Sequence, residues 1–160
     1  MSDFTVNTYS PDDIVLIISG YKVSGWDRIT ITRNNPGFTP FKGIRGKDSR
    51  DKNESTAATL SLSVLSTCPV NSVLSAVHKQ DLIYGTGRLI ITLKDNSGMS
   101  LFGSNEAYIL AYPTAGFGAD SEYRVWNIQC QTTTEWTVGG NTRPTTKLLD
   151  NITNYITDLF

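Results

Sequence analysis

The chain has 160 residues, 39% of them hydrophobic and only 18% charged, with a formal net charge of −1 at neutral pH. A domain of this length buries ~70% of the surface its unfolded chain exposes, so it can build a core without disulfide or metal staples. The composition excludes a disordered chain and an electrostatic nucleic-acid binder, and the low charge points to surface covered by partners.

The opening MSDFTVNTYSPDD is polar and acidic, without a basic region leading into a long apolar stretch. It predicts no secretory signal and folding in a reducing cytoplasm. Residues 13–19 read as a short strand, which should be covered on both sides because 14–18 are all Ile, Val or Leu, and it is ended by Gly20. Residues 28–33 alternate instead, with Ile29 and Ile31 inward and Arg28, Thr30 and Thr32 outward.

The pattern then stops. Residues 34–56 begin with the turn signal Asn34-Asn35-Pro36-Gly37 and carry Phe38, Phe41, Lys42, Arg45, Lys47, Asp48, Arg50, Asp51, Lys52 and Glu54. This segment reads as a long structureless loop of net charge +2 on a body of −3, and loops of that length are usually functional or disordered. Its mixed charges suit pairing across a protein interface, with Phe38, Phe41 and Ile44 as apolar anchors. Interleaved Asp48, Asp51 and Glu54 weaken the case for nucleic acid.

Residues 57–66 resume strict alternation: Ala58, Leu60, Leu62 and Val64 on one face, the uncharged Thr59, Ser61 and Ser63 on the other. Pro69 with Asn71 or Ser72 opens a helix over 72–84, its apolar stripe formed by Val73, Leu74, Val77 and Leu82, its end set by Gly85. Strands follow at 88–94, at 99–102 after the turn Asp95-Asn96-Ser97-Gly98, and at 106–112 up to Pro113. Residues 122–138 hold one phase for longer than the 3 to 10 residues of an ordinary strand. Trp126, Ile128, Cys130, Thr132, Thr134, Trp136 and Val138 share one face; Asn127, Gln129, Gln131, Thr133 and Glu135 share the other. This is two strands in register through a bend, or one long strand that leaves its own domain. Residues 146–160 space Leu148, Leu149, Ile152, Tyr155, Ile156 and Leu159 as an amphipathic terminal helix.

No catalytic constellation, cofactor loop or metal set emerges. His78 reads as a surface residue of its helix, and one His with two isolated cysteines makes no zinc site. Cys68 and Cys130 read as buried free thiols. Gly85-Thr86-Gly87 and Gly116-Phe117-Gly118 are too short to cradle phosphate. No apolar run approaches the ~20 residues of a membrane span. The carboxylates Glu106, Asp120, Glu122 and Glu135 have no visible pairing. The residues describe one predominantly β domain, 1–160, that works by assembling with copies of itself or with other proteins.

The segments YSPDDIVLIISGYKVSGW and RITITR with the charged loop, then TCPVNSVLSAVHKQD and EYRVWNIQCQTTTEWTVGGN, are those on which the chain resembles bacteriophage tail tube proteins, especially those of contractile-tailed phages. The resemblance covers the chain to about Asn141. It implies a mainly β fold, a barrel or sandwich with one flanking helix, a long inter-subunit loop and a short C-terminal helix. It implies stacked rings, usually hexameric, forming a conduit for genome ejection.

The loop 34–56 would then be the inter-ring arm. Thr59, Ser61, Ser63, Asn127, Gln129, Gln131 and Thr133 would face the lumen, where uncharged side chains let DNA slide. Expected partners are further copies, tail sheath, tape measure and baseplate or tube-initiator proteins, with phage DNA passing through unbound. The resemblance implies a virion protein, assembled in the host cytoplasm, with no catalytic residue, cofactor or metal. Relatives of this reading are a tube-initiating or baseplate ring protein and a type VI secretion tube protein. From a different class, a β-barrel ligand-binding module would line a cavity with Trp26, Trp126, Trp136 and Tyr108.

Overall fold

The computed structural model describes residues 9–140, so the terminal helix expected at 146–160 lies outside the described residues. Its strands in chain order are β1 (Ile14–Ile18), β2 (Tyr21–Lys22), β3 (Trp26–Arg33), β4 (Phe38–Lys42), β5 (Asp48–Lys52) and β6 (Ala58–Leu65). Helix α1 (Val70–Tyr84) follows, then β7 (Leu89–Asp95), β8 (Leu101–Ile109) and β9 (Tyr123–Thr137). Among the described residues, seven strands form one antiparallel sheet in the order β2-β1-β7-β8-β9-β6-β3, and β4 and β5 pair only with each other. The sheet curls into a half-barrel, open between β2 and β3, with α1 against its inner face.

Local chemistry explains the turns. Ser19 and Gly20 both have positive φ, 49° and 87°, between the paired residues Ile18 and Tyr21. Two left-handed residues match the twist of a tight hairpin. Ser19 then ties this hairpin to β7, donating its amide to the Ile90 carbonyl at 2.7 Å while its hydroxyl accepts from the Ile90 amide at 3.1 Å. At the β7–β8 turn the buried Asp95 carboxylate accepts from both the amide (2.9 Å) and the hydroxyl (2.6 Å) of Ser97.

The alternation expected of β6 is met: Ala58, Leu60, Leu62 and Val64 are fully buried, while Thr59, Ser61 and Ser63 are half-exposed on the outer face. Leu89 and Ile91 of β7 are buried and Leu93 is half-buried against the same core, and β1 buries Leu16 and Ile18 while its other residues stay half-buried. Cys130 is buried in the same core, but Cys68 is only half-buried, contrary to expectation; its thiol donates to the Ser24 carbonyl at 3.1 Å.

The helix departs from the sequence reading at both its start and its face. It begins at Val70, with Pro69 in the capping position and no side-chain cap, two residues earlier than expected. Asn71 is buried instead of capping. Its amide nitrogen donates to the carbonyls of Leu65 (2.9 Å), Ser66 (3.3 Å) and Cys68 (3.1 Å), and its Oδ1 accepts from Trp126 Nε1 at 2.9 Å. The buried stripe is Val70, Asn71, Leu74 and His78, whereas Val73 and Leu82 of the expected stripe are exposed, as are Ile83 and Tyr84. His78 is therefore a core residue, 5% exposed, with its ring edge-on to Tyr112 at 4.6 Å. The Asn71 tie fixes the rotation of the helix, and that rotation turns position 78 inward.

The two strands expected at 99–102 and 106–112 are one, β8, and the long late segment is one 15-residue strand, β9. The first half of β9 pairs with β6 on one side, and β8 pairs along most of its other side. Register shifts between Gly103 and Ala107 let β8 and β9 bend together, because a bulge kinks its strand and increases local twist.

Two expected outcomes test this core. Replacing Asn71 with Leu strands the Trp126 N–H and removes the donor to three carbonyls, so chemical denaturation should show a loss of about 2–3 kcal/mol. Burial pushes the Cys130 thiol from 9.0 up to about 11, with a smaller opposing pull from Ser104. A native thiol titration near pH 8 should therefore spare Cys130 until the chain unfolds, because the thiolate is the reactive form. The raised value also means that the contribution is complete below pH 9 and is lost as pH climbs toward 11.

Candidate assembly surfaces

The segment expected to be a structureless loop is an ordered hairpin. β4 and β5 pair from Phe38 opposite Lys52 to Lys42 opposite Asp48, and the 43–47 turn is closed by Gly43 N–H to the Lys47 carbonyl at 2.9 Å. Gly46, at φ 80°, takes the left-handed conformation this turn demands. The stem is fixed as well: Asn53 N–H donates to the Gly37 carbonyl (2.8 Å), and the Arg33 guanidinium to the Ser55 carbonyl (2.8 Å). Charge-rich sequence hid the pairing, since neither face of this hairpin has a core to alternate against.

Every strand residue of the hairpin is exposed. Directly paired residues share a face, so the register sorts charges that alternate confusingly in sequence. One face carries Phe38, Pro40, Lys42, Asp48, Arg50 and Lys52; the other carries Thr39, Phe41, Ser49 and Asp51. Arg50 stacks over the Phe38 ring at 3.9 Å, a cation–π contact on the first face. Lys42 opposite Asp48 is a favourable cross-strand pair. Arg45 and Lys47 lie in the turn beside Ile44, which is fully exposed. Glu54 lies beyond β5 and is exposed. The result is a projecting blade with a cationic tip and bare apolar residues.

The second surface is the outer face of β3, β6 and β9. Ser61 lies opposite Thr30 and Asn127, and Thr59 opposite Thr32 and Gln129. Side chains bridge these rows: Ser61 Oγ donates to Asn127 Oδ1 at 2.7 Å, and Thr59 Oγ1 donates to Asn34 Oδ1 at 2.7 Å with Gln129 Oε1 the alternative acceptor at 3.2 Å. Hydroxyls and amides thus satisfy one another, and the surface needs no charge to remain hydrated.

The single phase expected along β9 breaks at its bulges. Thr133 lies opposite buried Ser104 and bonds the Thr56 carbonyl at 2.7 Å, while Thr132 turns to exposed Glu106. The face is also not polar throughout: Val125, opposite Ser63, is 48% exposed. Beside it, Leu110, Tyr112 and Tyr123 border a groove of 580 Å³ floored by Thr59 and Asn127.

The aromatics of the ligand-module reading do not share a cavity. Trp126 is a buried, hydrogen-bonded core residue, Trp136 packs edge-on to Phe102 at 5.3 Å, Trp26 lies against the core, and Tyr108 is exposed. Among the described residues no three His, Cys, Asp or Glu side chains gather as a metal set, and no helix is long and apolar enough to cross a membrane.

No family model matches the chain. It is 28% identical over 158 residues to structural protein ORF10 of Pseudomonas phage KPP10, spanning 92% of this chain and 91% of that protein. Its fold is that of the tube-terminating cap of the anti-feeding prophage (TM-score 0.61, 10% identity), over 84% of this chain and 96% of the cap. The sheath/tube terminator of an extracellular contractile injection system shares it too, at TM-score 0.55 and 9% identity, over 79% of this chain and 94% of the terminator. The chain is thus a homologue of a phage structural protein, built on a fold found in the terminators of contractile injection systems.

Proposed function

We propose that this protein is a non-enzymatic structural subunit of a phage tail, one that forms a ring on the tube axis and ends the tube there. The β4–β5 hairpin carries this reading. A blade of ten exposed strand residues, rooted by main-chain bonds yet covered by nothing of its own domain, is an arm built to lie on a neighbour. Relationship to a phage structural protein supports a place in the virion, and the likeness to two tube-terminating components supports a position at the end of the tube.

In this role the uncharged side chains of Thr59, Ser61, Ser63, Gln129 and Gln131 border the passage for DNA, with the exposed Arg28 opposite Ser63 at the end of the row; lysine or arginine along its length would hold phosphates and slow transit. Further copies and the ring below are the direct partners, with the sheath outside. A repeating tail tube subunit in hexameric rings is the second reading, favoured by the resemblance of residues 9–26 and 122–141 to tube proteins. The two differ in whether a ring offers one stacking face or two.

Negative-stain microscopy of the purified, concentrated protein separates them. Isolated rings of one height are expected; long tubes would transfer the assignment to the repeating subunit, and a persistent monomer would sink both. A second variant isolates the arm: residues 38–52 replaced by a short glycine link between Gly37 and Asn53. Because the removed residues contribute nothing to the core, stability should change by no more than about 0.5 kcal/mol, while ring formation is lost. Normal rings from this variant would remove the hairpin from the assembly mechanism.

A further inference from the structure

The groove beside Val125 has a definite structural origin. β8 ends at Ile109, and after Leu110 N–H donates to the Asn127 carbonyl (3.0 Å) the chain leaves the sheet before Pro113, which cannot donate to a ladder. The first residues of β9 are left without a neighbour on that side. Tyr123 and Val125 are 55% and 48% exposed, faced by Leu110 and Tyr112 at 48% and 49%. Singly exposed apolar side chains are ordinary; four around one concavity mark a contact site.

Asp120 and Glu122 lie in the 116–122 loop that leads directly into Tyr123, and they line a depression there together with Arg124, whose guanidinium lies over the Phe117 ring at 5.2 Å. The hairpin offers the complementary set: Phe41, 59% exposed, and the fully exposed Ile44, flanked by Arg45 and Lys47. Within one chain these two sets do not meet, because Phe41 and Ile44 stand open to solvent.

We propose that the groove is the receptor for the β4–β5 hairpin of a second copy, with Phe41 and Ile44 against Tyr123 and Val125, and the basic tip against Asp120 and Glu122. This rests on the ring-forming reading above and supplies its missing half. The contact is heterologous, hairpin to groove, so each copy both gives an arm and receives one. Such contacts close into rings when the rotation between copies permits, and otherwise run on as open assemblies. Of the residues assigned to the DNA passage only Thr59 lines the groove; Ser61, Ser63, Gln129 and Gln131 lie outside it, so the contact and the DNA-facing assignment overlap at that one residue.

The test uses the full chain with Ile44→Cys and Val125→Cys introduced together, oxidised mildly, against the unmodified chain as control for Cys68 and Cys130. A ladder of covalently linked multimers is expected from the double variant alone. In parallel, Phe41→Asp and Val125→Asp, both at exposed positions, should each weaken assembly by roughly 100-fold, as expected for anchor residues of an interface. If Phe41→Asp blocks assembly but Val125→Asp assembles normally and no ladder forms, the groove assignment is wrong while the arm stands. If Phe41→Asp assembles normally, the arm itself fails and the groove falls with it. Should either aspartate variant lose its native circular dichroism, the cysteine pair alone decides.

Discussion

One buried amide orients much of this molecule. Asn71 donates to the three carbonyls that end β6 and begin the helix, and accepts the indole N–H of Trp126 from β9. All its hydrogen-bonding capacity is directed at backbone or at a core side chain, in a place where an unmade bond costs far more than a made one contributes. The helix therefore has one permitted rotation over the curled sheet. Leu74 and His78 follow into the core because they lie on the same face, and Leu82 is turned out.

Curvature comes from the other strong constraint, the long pairing of β8 with β9. Fifteen residues of flat strand would run past a domain of this size, but the register shifts around Ser104 and Glu106 bend both strands together. The bend sends the second half of β9 away from β6 and brings Trp136 over Phe102. It also separates the hydroxyl-rich rows of β3 and β6 from the apolar groove where β8 has stopped.

The hairpin stands outside both constraints. Its pairing is local, its root is held by main-chain bonds, and its side chains satisfy one another only in part: Arg50 covers Phe38, while Phe41 and Ile44 remain bare. A segment with this much exposed apolar surface suits a chain whose finished state is an assembly, and the low charge of the whole sequence agrees with extensive coverage. The homologue is a phage structural protein, and the fold is shared with two terminator components of contractile injection systems.

Period-two patterning alone determined the inward face of β6, β7 and the first half of β9, because each of these strands has a core on one side to alternate against. The same logic identified the neutral outer row and the turns at Gly20, Asp95 and Gly85. It failed wherever a partner elsewhere in the chain sets the answer. The hairpin has no core, so its alternation carries charge rather than hydrophobicity. The bulges that move Thr133 off the outer row depend on β8 as much as on β9, and the inward turn of His78 depends on Asn71 meeting Trp126, 55 residues away. Local sequence fixes which residues avoid water; only the packed sheet decides which neighbour each polar group must satisfy, since that choice is made by atoms brought together from distant parts of the chain.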